Sequence, residues 1–476
     1  MGLRYSSIVD APMTEVFAWH ERPGALLRLV PPWQPIKVVQ EAPSLADGRA
    51  VLRLPGGVRW VAQHSRDDPP HRFVDELASL PLHWRHMHSF ETVDGGATRV
   101  IDNVETPVPG SFLRQTFRYR HHQIAGDLAA HRGATQRGAR PLAIAVTGSS
   151  GLIGSNLCAY LSTGGHRVIR LVRRAPRGPS ERTWDPGRPD PRSLEGIDAV
   201  VHLAGASIAG RFTDAHKRLV RDSRVGPTSE LARIMAALPD GPRILLCASA
   251  IGYYGSECGD ELLTEDSTCG SGFLAELVEA WEGAAQPAAD AGVRVVHVRT
   301  GIVQSARGAS LKLLRPLFSL GLGGPLAPGS QWVSWIGLDD LLDVFGRALA
   351  DDELVGPLNA VAPCAVTNGE YASTLARVMR RPARLKVPAL GPRVLLGAEG
   401  AREMVQASQR VAPARLAAAG HVFRHPSLEM CLRHQLGHID VAPFGEERET
   451  PQAGPGDGVP NGVACGRGAT RLLSRE

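Results

Sequence analysis

The chain has 476 residues, of which 43% are hydrophobic and 21% charged, and its formal net charge at pH 7 is +5. This composition indicates a globular protein of two or three domains, and so small a charge predicts neither a nucleic-acid partner nor binding to an acidic membrane surface. The N-terminus lacks a signal-peptide core and no segment approaches the roughly 18 apolar residues of a membrane span, so a cytoplasmic location is expected.

The first 133 residues consist of short segments in which apolar and polar residues alternate, a pattern typical of β-strands with one buried face. Two short helices are predicted near the start and one long helix over 111–130. The predicted strands between them cover 36–40, 50–54, 58–64, 72–77, 82–91 and 98–105. This order predicts an α+β helix-grip domain, in which the sheet curls around the last helix and leaves an apolar cavity.

Four side chains share one face of the predicted strand at 82–90, because they alternate along it: Trp84, His86, His88 and Phe90. His86 and His88 could be metal ligands or acid–base groups, or they could contact a ligand, line the cavity or pack against a neighbouring strand. We favour packing, and no metal site is predicted. The polar, basic segment at 134–140 is the predicted linker to the next domain.

The stretch AIAVTGSSGLIG at 143–154 combines a buried strand, a glycine turn and the start of a helix. Gly148 permits the tight turn, Gly151 lets the backbone approach a pyrophosphate, and Gly154 lets the helix pack on the strand. The free N–H groups of the helix N-terminus favour phosphate. We therefore predict dinucleotide contacts from Thr147, Gly148, Ser149, Ser150, Gly151, Leu152, Ile153 and Gly154.

The second strand of this unit is predicted over 166–172, and an NAD site would place Asp or Glu at its end. Arg173 and Arg174 stand there instead, and the next carboxylate is Glu181. Because guanidinium groups suit a ribose 2′-phosphate, the predicted cofactor is NADP, with NAD less favoured. The chain is rich in arginine, so surface arginines remain the alternative interpretation.

Further buried strands are predicted over 198–203, 244–248 and 293–298, with helices over 214–220, 229–237 and 273–289. Alternating strands and helices predict an α/β fold with a doubly wound parallel (Rossmann) sheet. Ligands of such sheets bind beyond the carboxyl ends of the strands. The residues predicted at that edge, besides the glycine turn and the arginines, are Leu203, Ala204, Gly205, Ser249 and Thr300.

The segments TGSSGLIG, HLAGASIAG, CASAIGYYG, VRTGIV and SWIGLDD resemble the extended short-chain dehydrogenase/reductase superfamily, and more narrowly its atypical NAD-dependent epimerase/dehydratase-like branch. The resemblance implies an NAD(P)-binding domain at 141–385 and a small family-specific domain at 386–436. Residues 1–133 resemble the START/polyketide-cyclase-like (SRPBCC) superfamily, which implies a pocket for a hydrophobic ligand. Residues 437–476 are predicted to be a disordered tail.

Reductases of this superfamily use a Ser, Tyr and Lys, and the resemblance makes Ser249 the serine that polarises the substrate. The Tyr-x-x-x-Lys step expected within 271–277 is absent. Tyr253 and Tyr254 could replace that tyrosine or could only pack the loop, and we take Tyr253 with Ser249 as the catalytic candidates. Glu265 and Asp266 could hold a proton or cap the next helix, whereas Asp339 is a predicted N-cap.

The sequence therefore predicts an NADP-dependent oxidoreductase or epimerase-like protein that acts on a small, partly apolar carbonyl or sugar-like substrate. Two alternatives from other classes are a non-catalytic NADP-binding sensor and a carrier of hydrophobic ligands. Many members of the superfamily dimerise through the helix that corresponds to 273–289, so a homodimer is compatible with the resemblance.

Overall fold

A computed structural model describes residues 2–383, 385–388 and 390–439, and the predicted tail lies outside the described residues from position 440 onward. None of the helices in these ranges is both long and apolar enough to cross a membrane. Cys158, Cys247 and Cys431 are buried and free.

Residues 2–136, which are the shorter part of the chain and are called the first half below, form a seven-stranded antiparallel sheet with the order β1-β7-β6-β5-β4-β3-β2. Its strands are β1 (Gly2–Val9), β2 (Lys37–Gln40), β3 (Arg49–Arg53), β4 (Arg59–Asp68), β5 (Arg72–Leu77), β6 (Arg85–Thr92) and β7 (Thr98–Glu105). Its helices are α1 (Met13–Glu21), α2 (Ala25–Leu29) and α3 (Gly110–Gln136). The predicted strands and long helix are present, with ends shifted by a few residues.

The remaining described residues, from 143 onward, are called the second half below and contain a seven-stranded sheet with the order β10-β9-β8-β11-β12-β14-β18, in which all neighbouring strands are parallel. Its strands are β8 (Ala143–Thr147), β9 (Arg167–Val172), β10 (Glu181–Thr183), β11 (Ala199–His202), β12 (Ile244–Ala250), β14 (Arg294–Thr300) and β18 (Gly356–Ala360). Three two-stranded sheets pair β13 (Glu257–Leu263) with β20 (Ser408–Val411), β15 (Ile302–Gln304) with β17 (Trp335–Gly337) and β16 (Trp332–Val333) with β19 (Val366–Thr367). The predicted parallel α/β sheet is therefore confirmed.

Helices cover both faces of the parallel sheet. They are α4 (Leu152–Thr163), α5 (Asp214–Asp222), α6 (Val225–Ala237), α7 (Phe273–Gly283), α8 (Gln286–Asp290), α9 (Ala309–Ser319), α10 (Leu338–Ala350), α11 (Asn368–Met379), α12 (Leu390–Gly400), α13 (Ala414–Ala418) and α14 (Leu428–Leu436). Ile144 and Val146 of β8 pack in one core with α4 and α10, whereas Ala145 packs in the other with α6. The helix predicted over 273–289 is two helices, because Pro287 in the first turn of α8 has no N–H to continue the first one.

The predicted linker at 134–140 begins too early, because α3 continues to Gln136. The last turns of α3 lie against α4, where the rings of His131 and Tyr160 are 4.7 Å apart. The turn before α2 also approaches α4 closely, since a Cβ on Gly24 would lie 2.5 Å from the Cα of Ala159. The two halves are therefore packed directly on each other.

A buried ionic cluster joins the halves. Arg28 of α2 donates to Asp127 of α3 at 2.7 and 2.9 Å and to Asp339 of α10 at 2.8 Å. Arg424, which precedes α14, donates to the same Asp127 at 2.9 Å and to Asp343 at 2.5 and 2.6 Å. Burial alone would raise the pKa of Asp127, but the two guanidinium groups hold it below its usual value. The prediction that Asp339 is the N-cap of α10 is therefore wrong. Gly337 occupies the N-cap, and Asp339 lies buried in the first turn of the helix.

Replacing Asp127 tests whether this cluster holds the fold together. Asp127→Asn keeps the side-chain volume but leaves Arg28 and Arg424 short of a buried negative charge, so we expect the free energy of unfolding in urea to fall by about 3–5 kcal/mol. Glu230→Gln is the control, because its ion pair with Arg233 is exposed and should contribute no more than about 1 kcal/mol. Equal effects of the two substitutions would contradict a structural role for the cluster.

Candidate functional site

The glycine turn between β8 and α4 has the geometry that the sequence predicts for its first and third glycines. Gly148 has a φ of +64°, and a Cβ there would lie 2.8 Å from the carbonyl of Leu203 at the end of the neighbouring strand. A Cβ on Gly154 would lie 2.3 Å from the Gly148 oxygen. Only glycine therefore allows the turn, the loop after β11 and α4 to approach this closely.

Gly151 leaves the N-terminus of α4 open. It is exposed and occupies the N-cap, and as a glycine it has no side chain that could accept a hydrogen bond from the first-turn N–H groups. A Cβ on Gly151 would meet only the Gly148 oxygen, at 3.3 Å. The free N–H groups of the first turn and the positive end of the helix dipole fit a phosphate of a dinucleotide here.

Thr147 and Ser149 are buried, and the Thr147 hydroxyl is already used within the protein. It lies 2.8 Å from Nδ1 of His202, and the N–H groups of Leu203 and Ala204 donate to it at 3.1 and 3.3 Å. Burial lowers the pKa of His202 to about 4, so its imidazole is neutral at pH 7. The Thr147 side chain therefore positions the loop after β11, and no local sequence pattern indicates that His202 is its partner.

Arg173 and Arg174 follow β9 directly, but they differ in their partners. Arg174 forms two hydrogen bonds to Glu181 of β10, at 2.7 and 2.8 Å, and the N–H of Arg177 donates to the same carboxylate at 2.7 Å. These contacts with Arg174 and Arg177 lower the pKa of Glu181 to about 2. Arg173 is exposed, with no carboxylate partner within the described ranges. Arg173 is thus the guanidinium that remains available to an anion.

The other predicted cofactor residues lie at the same edge of the sheet. Leu203 and Ala204 are half-buried and Gly205 is exposed, directly after β11. Thr300 ends β14, opposite Ala250 of β12, and its hydroxyl donates to the carbonyl of Val298 at 3.1 Å. Sequence reasoning missed Arg224, whose guanidinium carbon is 3.0 Å from a Cβ built on Gly205. Burial lowers the pKa of Arg224 to about 10.

Ser249 is held by an ion pair that the sequence did not predict. Its hydroxyl donates to Glu282 of α7 at 2.5 Å, and Arg299 of β14 binds both oxygens of that carboxylate at 2.8 and 2.9 Å. Ser249 is only 5% exposed. Its proton therefore points to Glu282 in this state, and the hydroxyl oxygen keeps only its acceptor capacity.

The two tyrosines after β12 occupy different environments around Arg299. The hydroxyl of Tyr254 donates to Asn359 at 2.7 Å and accepts from Arg299 at 3.1 Å, and burial raises the pKa of Tyr254. The guanidinium carbon of Arg299 lies 3.5 Å from the ring centroid of Tyr253, close enough for a cation–π contact. Tyr254 therefore packs the loop, whereas the half-buried Tyr253 has a hydroxyl with no partner in the described part of the chain.

Glu265 and Asp266 do not cap the next helix. Glu265 is buried and accepts the N–H of Asn359 at 2.9 Å, and Asp266 lies 3.4 Å from Arg415. The first turn of α7 is capped instead by Glu403, which accepts the N–H groups of Phe273 and Leu274 at 3.1 and 2.8 Å. Glu403 is 130 residues away in the chain from the helix it caps, and no local pattern could have indicated it.

A cavity of about 1230 Å³ lies between the halves, at the opposite edge of the parallel sheet. It is lined by residues of α3 and by Leu142, His166 and Ile244, which stand at the amino ends of β8, β9 and β12. This cavity therefore does not belong to the site at the carboxyl ends of the strands.

The fold and the glycine turn define a nucleotide-binding α/β protein, and comparisons with known proteins define its family. A family model described as "NAD dependent epimerase/dehydratase family" matches residues 144–358, and a domain of unknown function (DUF1731) matches 387–435. An epimerase family protein of Mycobacterium bovis is 44% identical over 289 residues, which cover 60% of this chain and 94% of the relative. The chain belongs to the NAD-dependent epimerase/dehydratase family.

Two solved structures are similar over different lengths of the chain. The nucleoside-diphosphate sugar epimerase from Corynebacterium glutamicum matches with a TM-score of 0.81 and 40% identity, over 93% of this chain and 91% of that one. Human epimerase family protein SDR39U1 (isoform 2), solved with NADPH, matches with a TM-score of 0.57 and 31% identity, over 63% of this chain and 100% of that one. The corynebacterial match thus extends across both halves.

Proposed function

We propose that the chain binds NADP(H) at the glycine turn and acts as an oxidoreductase or epimerase on a small, partly apolar carbonyl or sugar-like substrate. The observation that carries the proposal is the open N-terminus of α4 at Gly151, together with the exposed guanidinium of Arg173 at the end of β9, which has no carboxylate partner among the described residues. The names of the relatives support it, since one is an epimerase of nucleoside-diphosphate sugars and another holds NADPH.

The residues at the strand ends suit the parts of such a cofactor. The first-turn N–H groups of α4 would hold the pyrophosphate, and Arg173 a 2′-phosphate on the adenosine ribose. Leu203, Ala204 and Thr300 would border the rest of the molecule at the ends of β11 and β14. When bound, the nicotinamide supplies a hydride donor or acceptor.

In this proposal Tyr253 is the group that transfers a proton, because its phenol hydroxyl has no hydrogen-bond partner among the described residues, whereas that of Tyr254 does. The guanidinium of Arg299 lies over the face of the Tyr253 ring. Through its ion pair with Glu282, Arg299 also fixes the position of Ser249. No lysine occupies the usual position on α7, so a guanidinium is the cation nearest to the proposed acid. Ser249 would orient a substrate hydroxyl by accepting its proton in a hydrogen bond.

The N-terminal half, in this proposal, is a START-like module that captures or delivers the substrate. Its support is the order of elements: an antiparallel sheet of seven strands is followed by the single long helix α3. The expected apolar interior needs a correction, because His86, His88, Asp102 and His121 are all buried on the inner side of this sheet. The part of the interior around them is polar.

Arg173→Ala tests the preference for NADP. We expect the substitution to weaken NADPH binding about 10- to 100-fold, because a charge-assisted contact is lost, and to leave NADH binding unchanged. Nicotinamide fluorescence measures both affinities. Arg188→Ala, at an exposed arginine in the same arginine-rich region, is the matched control. If Arg173→Ala left NADPH affinity unchanged, Arg173 would be an ordinary surface arginine.

The second candidate function is a non-catalytic NADP-binding sensor, which the hydrogen bond from Ser249 to Glu282 favours, because this bond uses the proton that would polarise a substrate. Ser249→Ala separates the two functions. For an enzyme, we expect turnover in a carbonyl-reduction screen to fall about 100-fold while NADPH affinity is kept. Ser271→Ala, at an exposed serine, is the control. Tight NADPH binding with no turnover by the unmodified protein would favour the sensor.

A further inference from the structure

A cluster of histidines and carboxylates lies on the inner face of the antiparallel sheet, far along the chain from the glycine turn. Asp75 of β5 is directly opposite His86 of β6, and His88 of β6 is directly opposite Asp102 of β7. The exposed fraction of these side chains is 14% for Asp75, 3% for His86, 9% for His88 and 4% for Asp102. Cross-strand register therefore brings them together.

Three of these side chains have the spacing of metal ligands. Oδ2 of Asp75 lies 3.2 Å from Nδ1 of His86 and 3.5 Å from Nε2 of His88. One ligand atom from each residue lies within 4.8 Å of the others. Around a tetrahedral Zn²⁺ with bonds of about 2.0–2.1 Å, neighbouring ligand atoms are about 3.3 Å apart. The two measured separations lie on either side of that value.

Asp102 orients both histidines from the other side. Its Oδ1 lies 2.9 Å from Nε2 of His86 and 2.9 Å from Nδ1 of His88. Its Oδ2 is 2.8 Å from Nε2 of His121, whose Nδ1 lies 2.7 Å from the hydroxyl of Ser7. Imidazoles that donate to Asp102 turn their remaining nitrogens toward Asp75, and a carboxylate behind each imidazole is the usual support of a metal-bound histidine.

Another histidine of the same sheet lies beside these side chains. His64 of β4 is directly opposite Asp75, and its buried Nδ1 has no hydrogen-bond partner within the described residues. His64 is not one of the three residues whose ligand atoms lie within 4.8 Å of one another, so its side chain would have to turn toward the ion to become a further ligand.

We propose that Asp75, His86 and His88 bind one divalent transition-metal ion, with Zn²⁺ preferred, and that His64 or a water molecule occupies the fourth position. Imidazole nitrogens with one carboxylate oxygen suit Zn²⁺ better than Ca²⁺ or Mg²⁺, which prefer sets of oxygen ligands. The site is separate from the dinucleotide site and does not depend on the proposed function.

Metal titration of the full chain tests the proposal. The purified protein is stripped with a chelator and titrated with Co²⁺ while its visible absorption is followed, and Zn²⁺ is then added. We expect one Co²⁺ per chain with the intense spectrum of four-coordinate Co²⁺, displaced by Zn²⁺. Asp75→Asn and His88→Gln should each weaken Zn²⁺ binding about 100-fold or more. His71→Gln, an exposed histidine beside β5 that pairs with Asp68, should change nothing.

The absence of saturable binding at one ion per chain would overturn the proposal, and so would equal binding by all three variants. Far-ultraviolet circular dichroism shows whether each variant is folded. If Asp75→Asn and His88→Gln both fail to fold, anomalous scattering at the zinc edge from zinc-soaked crystals of the unmodified protein decides. A peak between the three side chains supports the proposal, and a peak only elsewhere overturns it.

Discussion

The structure depends on the buried ionic cluster around Arg28 and Arg424. It ties α2 and α3 of the first half to α10, which packs on the parallel sheet, and to the segment before α14, so four separate parts of the chain meet at one place. Such charges are costly to bury and are tolerated only when every member is paired, which makes the arrangement specific. Because the cluster fixes α10 against α3, the parallel sheet is held at a defined position relative to the antiparallel one.

At the carboxyl edge of the parallel sheet, the site is divided into an open part and a closed part. The open part is the N-terminus of α4 with Arg173, where anions can reach free donors. The closed part is the network of Ser249, Glu282 and Arg299, whose polar atoms already satisfy one another. The open part therefore offers groups for a cofactor, whereas the closed part presents few free polar atoms to a substrate. The half-buried Tyr253 adjoins the closed part through its contact with Arg299.

Features that follow from local sequence were predictable: the glycine turn, the parallel strands and the common face of His86 and His88. Features that depend on distant partners were not. The glycine-containing end of α3 is helical because it packs on α4, and Asp339 is an ion-pair partner because Arg28, 311 residues away, reaches it. No metal site was predicted, because the pattern along one strand does not show that Asp75 lies opposite His86. The proposed Zn²⁺ site is contrary to that expectation.

The central claim is that a nicotinamide dinucleotide binds at the glycine turn, and amide hydrogen exchange with and without saturating NADPH tests it most directly. The account predicts slower exchange in peptides that cover 148–154 and 203–205, because the N–H groups of these segments would face the cofactor. Protection confined to other segments, such as those that line the cavity between the halves, would contradict it. Unchanged exchange throughout, at a concentration that quenches or shifts nicotinamide fluorescence, would contradict it equally.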